Sequence, residues 1–210
     1  MQSDNLPTSD REPLALLAIA LAALAASGIG PYDRLTWFFE VVPVLIVAPL
    51  LWATYGRFRL TPLAYRLILL HALILVLGAQ YTYARVPLGF WVQDLFDLGR
   101  NHYDRLGHLA QGFVPAILAR EILLRLTPLR RGGWLFTLVL SVCLAFSAFY
   151  ELLEWWSAIA IGEAANAFLG TQGDVWDTQW DMFLALSGAT LAQLTLARLH
   201  DRQLKARAGV

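Results

Sequence analysis

Three short stretches hold residues able to bind a cation or move a proton. In Asn101-His102-Tyr103-Asp104-Arg105-Leu106-Gly107-His108-Leu109-Ala110-Gln111, the residues Asp104, His108 and Gln111 stand at i, i+4 and i+7. A helix there puts all three on one face. In Tyr150-Glu151-Leu152-Leu153-Glu154-Trp155-Trp156, Glu151 and Glu154 extend a stripe that begins at Ser147. In Gly170-Thr171-Gln172-Gly173-Asp174-Val175-Trp176-Asp177-Thr178-Gln179-Trp180-Asp181, a helix would align Asp174, Asp177 and Asp181. Ala185 and Gly188 continue that line with small residues, which let helices approach closely.

Clustered carboxylates cannot remain bare anions. Protons, Arg100 and Arg105, or a metal cation must neutralise them. Imidazole with carboxylates suits Zn, Mn or Fe, and oxygen-rich sets suit Mg or Ca. The expected metal ligands are His108, Asp104, Asp177, Asp181, Asp174 and His102. Glu151 or Glu154 is the expected general base, and Arg105 the holder of a phosphate. The ligand count matches a di-metal carboxylate bundle, but the Glu-x-x-His motif of that class is absent. Structural roles compete with these. His108 can bridge helices by a hydrogen bond, Asp174 can cap a helix, Asp177 can meet a helix dipole, and His102 can be solvated in a loop. His71 and Gln80 fit interhelical hydrogen bonds. His200 and the cluster Arg125, Arg130 and Arg131 suggest nothing beyond a basic inner face.

The elements that must position these motifs are membrane spans. The chain of 210 residues is 58% hydrophobic with mean hydropathy +0.53, against roughly 45–50% apolar in ordinary globular proteins. A bilayer core needs about 20 apolar residues per helix. Six segments qualify: Leu14–Ile29, Trp37–Tyr55, Pro62–Tyr83, Arg105–Leu124, Trp134–Trp156 and Thr178–Leu199. The expected class is therefore all-α, a polytopic membrane protein of six transmembrane helices. A polar segment 1–13 precedes the membrane domain 14–199, and a basic tail 200–210 follows it. The acidic N-terminus lacks the basic start of a signal peptide, so the first segment reads as a retained helix. Zero net charge argues against a nucleic-acid partner. One cysteine, Cys143, excludes a disulfide framework within the chain.

Basic residues concentrate on the cytoplasmic side of membrane proteins. With the N-terminus inside, the inner side holds Arg11, then Arg57, Arg59 and Arg66, then Arg120, Arg125, Arg130 and Arg131, then Arg198, Arg202, Lys205 and Arg207. The outer side keeps only Arg34, Arg85, Arg100 and Arg105. Both termini are expected in the cytoplasm. That orientation brings all three polar motifs to the outer layer, because the fourth and sixth segments begin there and the fifth ends there. Asp33, Glu40, Asp94, Asp97 and Glu163 fall on the same side.

At these motifs the chain resembles the YjdF-like family of bacterial inner-membrane proteins. The matching stretches are His102–Arg120 (HYDRLGHLAQGFVPAILAR), Tyr150–Trp156 (YELLEWW) and Phe168–Met182 (FLGTQGDVWDTQWDM). The resemblance implies a multi-span inner-membrane protein and implies no activity. A more distant likeness is to VanZ-like membrane proteins, which are associated with glycopeptide-antibiotic tolerance. It falls on Asp104-Arg105-x-x-His108, Glu151 and Asp177-x-x-x-Asp181, with Ala185 where that pattern has Asn.

Three functions remain open on these residues. One is a metal-dependent enzyme acting on a lipid or lipid-linked substrate at the outer leaflet. A second is a non-catalytic binder of a cation or lipid headgroup. A third is a proton- or cation-coupled transporter, against which stands the confinement of charge to one layer. Substrate, metal and oligomeric state stay undefined by sequence.

Overall fold

A computed structural model describes residues 10–162 and 166–208. Residues 1–9 of the polar N-terminus, Glu163 and the last two residues of the basic tail lie outside the described residues. Among the described residues the chain is all-helical. The order is α1 (Arg11–Ser27), α2 (Arg34–Thr54), α3 (Pro62–Tyr81), a 3-10 turn (Tyr83–Arg85), α4 (Pro87–Phe96), α5 (Tyr103–Leu126), α6 (Gly133–Ile161), α7 (Asn166–Leu169) and α8 (Asp177–Ala208).

Helix ends follow local chemistry. Asp33 caps α2 by accepting from the Thr36 N–H at 2.7 Å. Thr61 caps α3, and Pro62 follows at a first-turn position where its missing N–H is not needed. Pro43 and Pro49 lie inside α2 and Pro115 inside α5; a membrane bundle tolerates such residues when neighbouring groups satisfy the freed carbonyls.

Four helices are long and apolar enough to cross a membrane: α2, α3, α6 and α8. The other two expected spans fall short for separate reasons. α1 has 17 residues, at the lower limit for a span. α5 has 24 residues but carries Asp104, Arg105, Arg120, Glu121 and Arg125. Its position accounts for this load. α5 is the central helix, packed along α8 and also against α3 and α6, and its charged groups Asp104, Arg120 and Glu121 are buried.

The core beside α5 is apolar at mid-height. Leu63, Leu67, Val114, Ile117, Leu135, Val139, Cys143 and Ala189 form one buried cluster. Outward faces are also apolar, with Ile46 and Trp52 of α2, Phe146 and Ile159 of α6 and Leu194 of α8 exposed. Such continuous apolar surface suits lipid rather than water.

Two elements differ from the sequence expectation. α8 runs without a break beyond Leu199 into the basic tail as far as Ala208. α4 occupies what hydropathy leaves as a loop, and it exposes Trp91, Leu95 and Phe96 at 70%, 76% and 66%. A ten-residue helix is too short to span. Its exposed aromatic surface is of the kind that sits at a membrane–water boundary.

Candidate functional site

The site depends first on how closely α5 and α8 approach. A Cβ added at Gly112 would stand 1.7 Å from the Ala185 carbonyl oxygen, and one at Gly188 would stand 2.1 Å from that of Leu109. Neither position has room for a side chain. Ala185, Ala189 and Ala192 complete the buried α8 stripe. The small residues thus bring the two helices backbone to backbone, and their polar N-terminal ends meet.

His108 is the centre of the layer and is 5% exposed. Its Nε2 stands 3.6 Å from Asp104 Oδ1 and 3.8 Å from Asp181 Oδ2. Its Nδ1 stands 3.9 Å from Glu151 Oε1. Asp104, Glu151, Glu154 and Asp181 are all buried. Two triads have ligand atoms within 4.8 Å of one another: Asp104, His108 and Asp181, and His108, Glu151 and Glu154. Several buried polar atoms here make no hydrogen bond among the described residues: His108 Nδ1, Glu151 Oε1, Asp181 Oδ1, Gln111 Oε1 and Ser147 Oγ.

The spacings are informative. Hydrogen bonds have donor–acceptor distances of about 2.7–3.2 Å, so 3.6–3.9 Å is too wide for direct bonds. Atoms each about 2.0–2.2 Å from one shared ion stand roughly 3–4 Å apart. The donor set of one imidazole and several carboxylates fits a divalent transition metal.

Not every expected ligand joins these triads. α8 begins at Asp177, so Asp174 belongs to the preceding loop and not to the helix face. Asp177 is held by Arg100, whose Nη2 donates to Oδ1 at 2.7 Å. Asp174 accepts from Arg105 Nη2 at 2.9 Å and from the Trp176 N–H at 2.9 Å. These contacts build a rim. Arg100 Nη1 donates to the Thr171 carbonyl, and Gln172 Nε2 donates to the Asn101 carbonyl at 2.7 Å. The Arg105 guanidinium lies 5.1 Å over the Trp180 ring, a cation–π contact. The rim surrounds a cavity of about 400 Å³ lined by Arg100, His102, Arg105, Gln172 and Asp174. His102 belongs to this rim. Burial, then the charges of Arg105 and Arg100, push its pKa down. The Trp176 N–H bond, then Arg100 and Arg105, hold Asp174 below the usual carboxylate range.

Glu40 of α2 is a member of the layer that motif spacing misses. It is 3% exposed and faces Tyr83, within electrostatic reach of Asp104 and His108. Its sequence signal is a lone carboxylate in the apolar run Trp37–Val47, which is expensive in a bilayer unless partnered. Tyr150 closes another side, with its ring centroid 6.4 Å from that of His108.

A helical bundle with lipid-facing apolar surfaces and a buried polar layer defines an integral membrane protein. The chain belongs to the family described as "Predicted membrane protein (DUF2238)", whose pattern matches residues 12–202. It is similar to "Inner membrane protein YjdF" of Escherichia coli (strain K12), with 55% identity over 201 residues that cover 94% of this chain and 96% of that one. The protein is an inner-membrane protein. No solved structure matches it.

Proposed function

We propose that the protein crosses the inner membrane six times with both termini in the cytoplasm, and that it holds a divalent cation at its outer face. Asp104, Asp181 and His108 Nε2 are the ligands in this reading. Glu151 stands on the other side of the ring, where an orienting partner of a metal-bound imidazole belongs. The observation that carries the proposal is the spacing of buried donor atoms around His108, 3.6–3.9 Å, with His108 Nδ1 and Glu151 Oε1 left without a hydrogen bond among the described residues.

Two features support an enzyme over a passive binder. Glu154 is a buried carboxylate beside the site that the ligand trio does not require, so it is available as a general base. Arg100 and Arg105 line an adjoining cavity of ligand size, and guanidinium forks suit phosphate. The bound cation would supply Lewis-acid activation, Glu154 would take a proton from water, and Arg105 would hold the phosphate of a lipid or lipid-linked substrate. The apolar cluster between the two ends of α5 favours a site confined to one layer over a transport path.

Metal analysis of purified protein after metal-replete growth tests the site. About one divalent ion per chain is expected, with loss in His108→Ala and Asp181→Asn. Absence of stoichiometric metal from the wild type would refute it. Release of phosphate from phospholipid or lipid-linked phosphate separates enzyme from binder: Glu154→Gln is expected to keep the metal and lose at least ~100-fold of the rate. A metal-loaded wild type with no such turnover supports the non-catalytic binder instead.

A further inference from the structure

At the end of the bundle opposite the acidic layer, arginines converge on a second cavity. It measures about 410 Å³ and is lined by the first turn of α1 (Arg11, Glu12, Pro13), the loop before α3 (Arg59, Leu60), the first turn of α3 (Pro62, Tyr65) and Arg207 at the end of α8. That size falls in the range of ligand pockets. Among the described residues the nearby carboxylates Glu12, Asp10 and Glu121 are already engaged. Glu12 is taken by Arg66, with Nε 2.6 Å from Oε1. Asp10, two-thirds exposed, meets Arg59 from the outside. Glu121 is committed to Arg125, His200 and Thr61.

Arg207 is left without such a partner. Among the described residues no carboxylate lies within ion-pair distance of it. Its guanidinium donates instead to the Arg59 carbonyl, which also accepts from Arg125 Nη1 at 2.7 Å. Two guanidiniums on one carbonyl, with the side chain of Arg59 close by, repel one another. Arg207 is only partly exposed, so solvent screens this repulsion incompletely. The chain accepts a concentration of positive charge around a hole, which an anion would relieve. Pro13, Leu60, Pro62 and Tyr65 give the same hole an apolar wall, suited to the glycerol and upper acyl region of a lipid. Basic pockets between membrane helices on the cytoplasmic side are where anionic headgroups bind.

We infer that this cavity binds a phosphate group, with Arg207, Arg59 and Arg11 as its cationic wall. Two sources carry that chemistry: the headgroup of an anionic phospholipid and free phosphate. The site is separate from the acidic layer and does not depend on it.

The test follows thermal unfolding of the full-length protein in neutral detergent against two probes, short-chain phosphatidylglycerol and inorganic phosphate. A saturable rise in Tm is expected with at least one. Arg207→Gln and Arg11→Gln should each weaken the response by roughly fivefold or more, as for loss of one basic contact at a membrane surface. A rise with phosphatidylglycerol alone assigns a lipid headgroup, and a rise with both assigns phosphate itself. No saturable rise with either probe, or an equal rise in both variants, overturns the site. If Arg207→Gln does not fold, Arg207→Lys and Arg11→Gln read the same cavity. Metal content measured on the same samples should not change, which keeps this result distinct from that for the outer site.

Discussion

His108 lies between two carboxylate sets, one on each ring nitrogen. Either nitrogen can bind metal only if the other finds an acceptor; in the proposed site Asp104 and Asp181 would be co-ligands and Glu151 that acceptor. At the rim the charges are paired rather than free, so the rim is expected to respond to acid. Asp174 is held below the usual carboxylate range by the Trp176 N–H and by Arg100 and Arg105. A carboxylate with a lowered folded pKa contributes stability above its unfolded pKa and loses it as pH falls through the folded value. The rim should therefore stay latched at neutral pH and open only below the ordinary aspartate range. Fluorescence of Trp176 and Trp180 through an acid titration checks this: Asp174→Asn should abolish the acid transition, and an unchanged transition would contradict the latch.

At the scale of elements, α5 carries polar chemistry at both ends. Asp104 and Glu121 are 17 positions apart in one helix, about 25 Å at 1.5 Å per residue. The end opposite the acidic layer is a hydrogen-bonded network. Glu121, 0% exposed, accepts from the Thr61 N–H and hydroxyl, from Arg125 and from His200 Nε2. Arg120 can only donate, so His200 Nδ1 accepts from it at 3.0 Å and Nε2 carries the proton toward Glu121. Arg120 also pairs with Asp201 at 2.7 Å. Glu121→Ala should destabilise the bundle by roughly 3–5 kcal/mol, as for breaking a buried ion pair, read as a lowered Tm in detergent. Gly112→Ala places a methyl group against the Ala185 carbonyl. It should cost about 1–3 kcal/mol or more by overpacking and also lower metal content by separating Asp104 and His108 from Asp181. A Gly112→Ala protein with wild-type stability would contradict the close α5–α8 approach.

Across the whole molecule, much of the plan is visible in residue order. Apolar run lengths mark six helices of the bundle, and basic asymmetry suggests that three polar motifs share one layer. The structure does bring Asp104, His108, Glu151, Glu154 and Asp181 together. Other parts are not visible because they depend on contacts between distant residues. Glu40 and the network around Glu121 join positions 43 to 80 residues apart in sequence, so no local spacing announces them. His200 reads as surface charge until α8 extends past Leu199 and sets it against Glu121 of α5, and Arg125 does so until the loop before α3 offers it the Arg59 carbonyl. α4 is hidden because ten residues fall below any span threshold. Asp174 escapes the helix face because α8 starts three residues later. The orientation is testable with single cysteines, since native Cys143 is buried. Gln172→Cys should label from outside the cell membrane and Lys205→Cys from the cytoplasm; the reverse pattern would separate the acidic layer from the outer leaflet.

The most direct measurement is X-ray absorption on protein loaded with one equivalent of zinc. A low-coordinate site with a single imidazole and carboxylate oxygens at about 2.0–2.2 Å is expected, with the imidazole signal lost in His108→Ala. Zinc that fails to bind stoichiometrically, or binds without an imidazole ligand, would contradict that site.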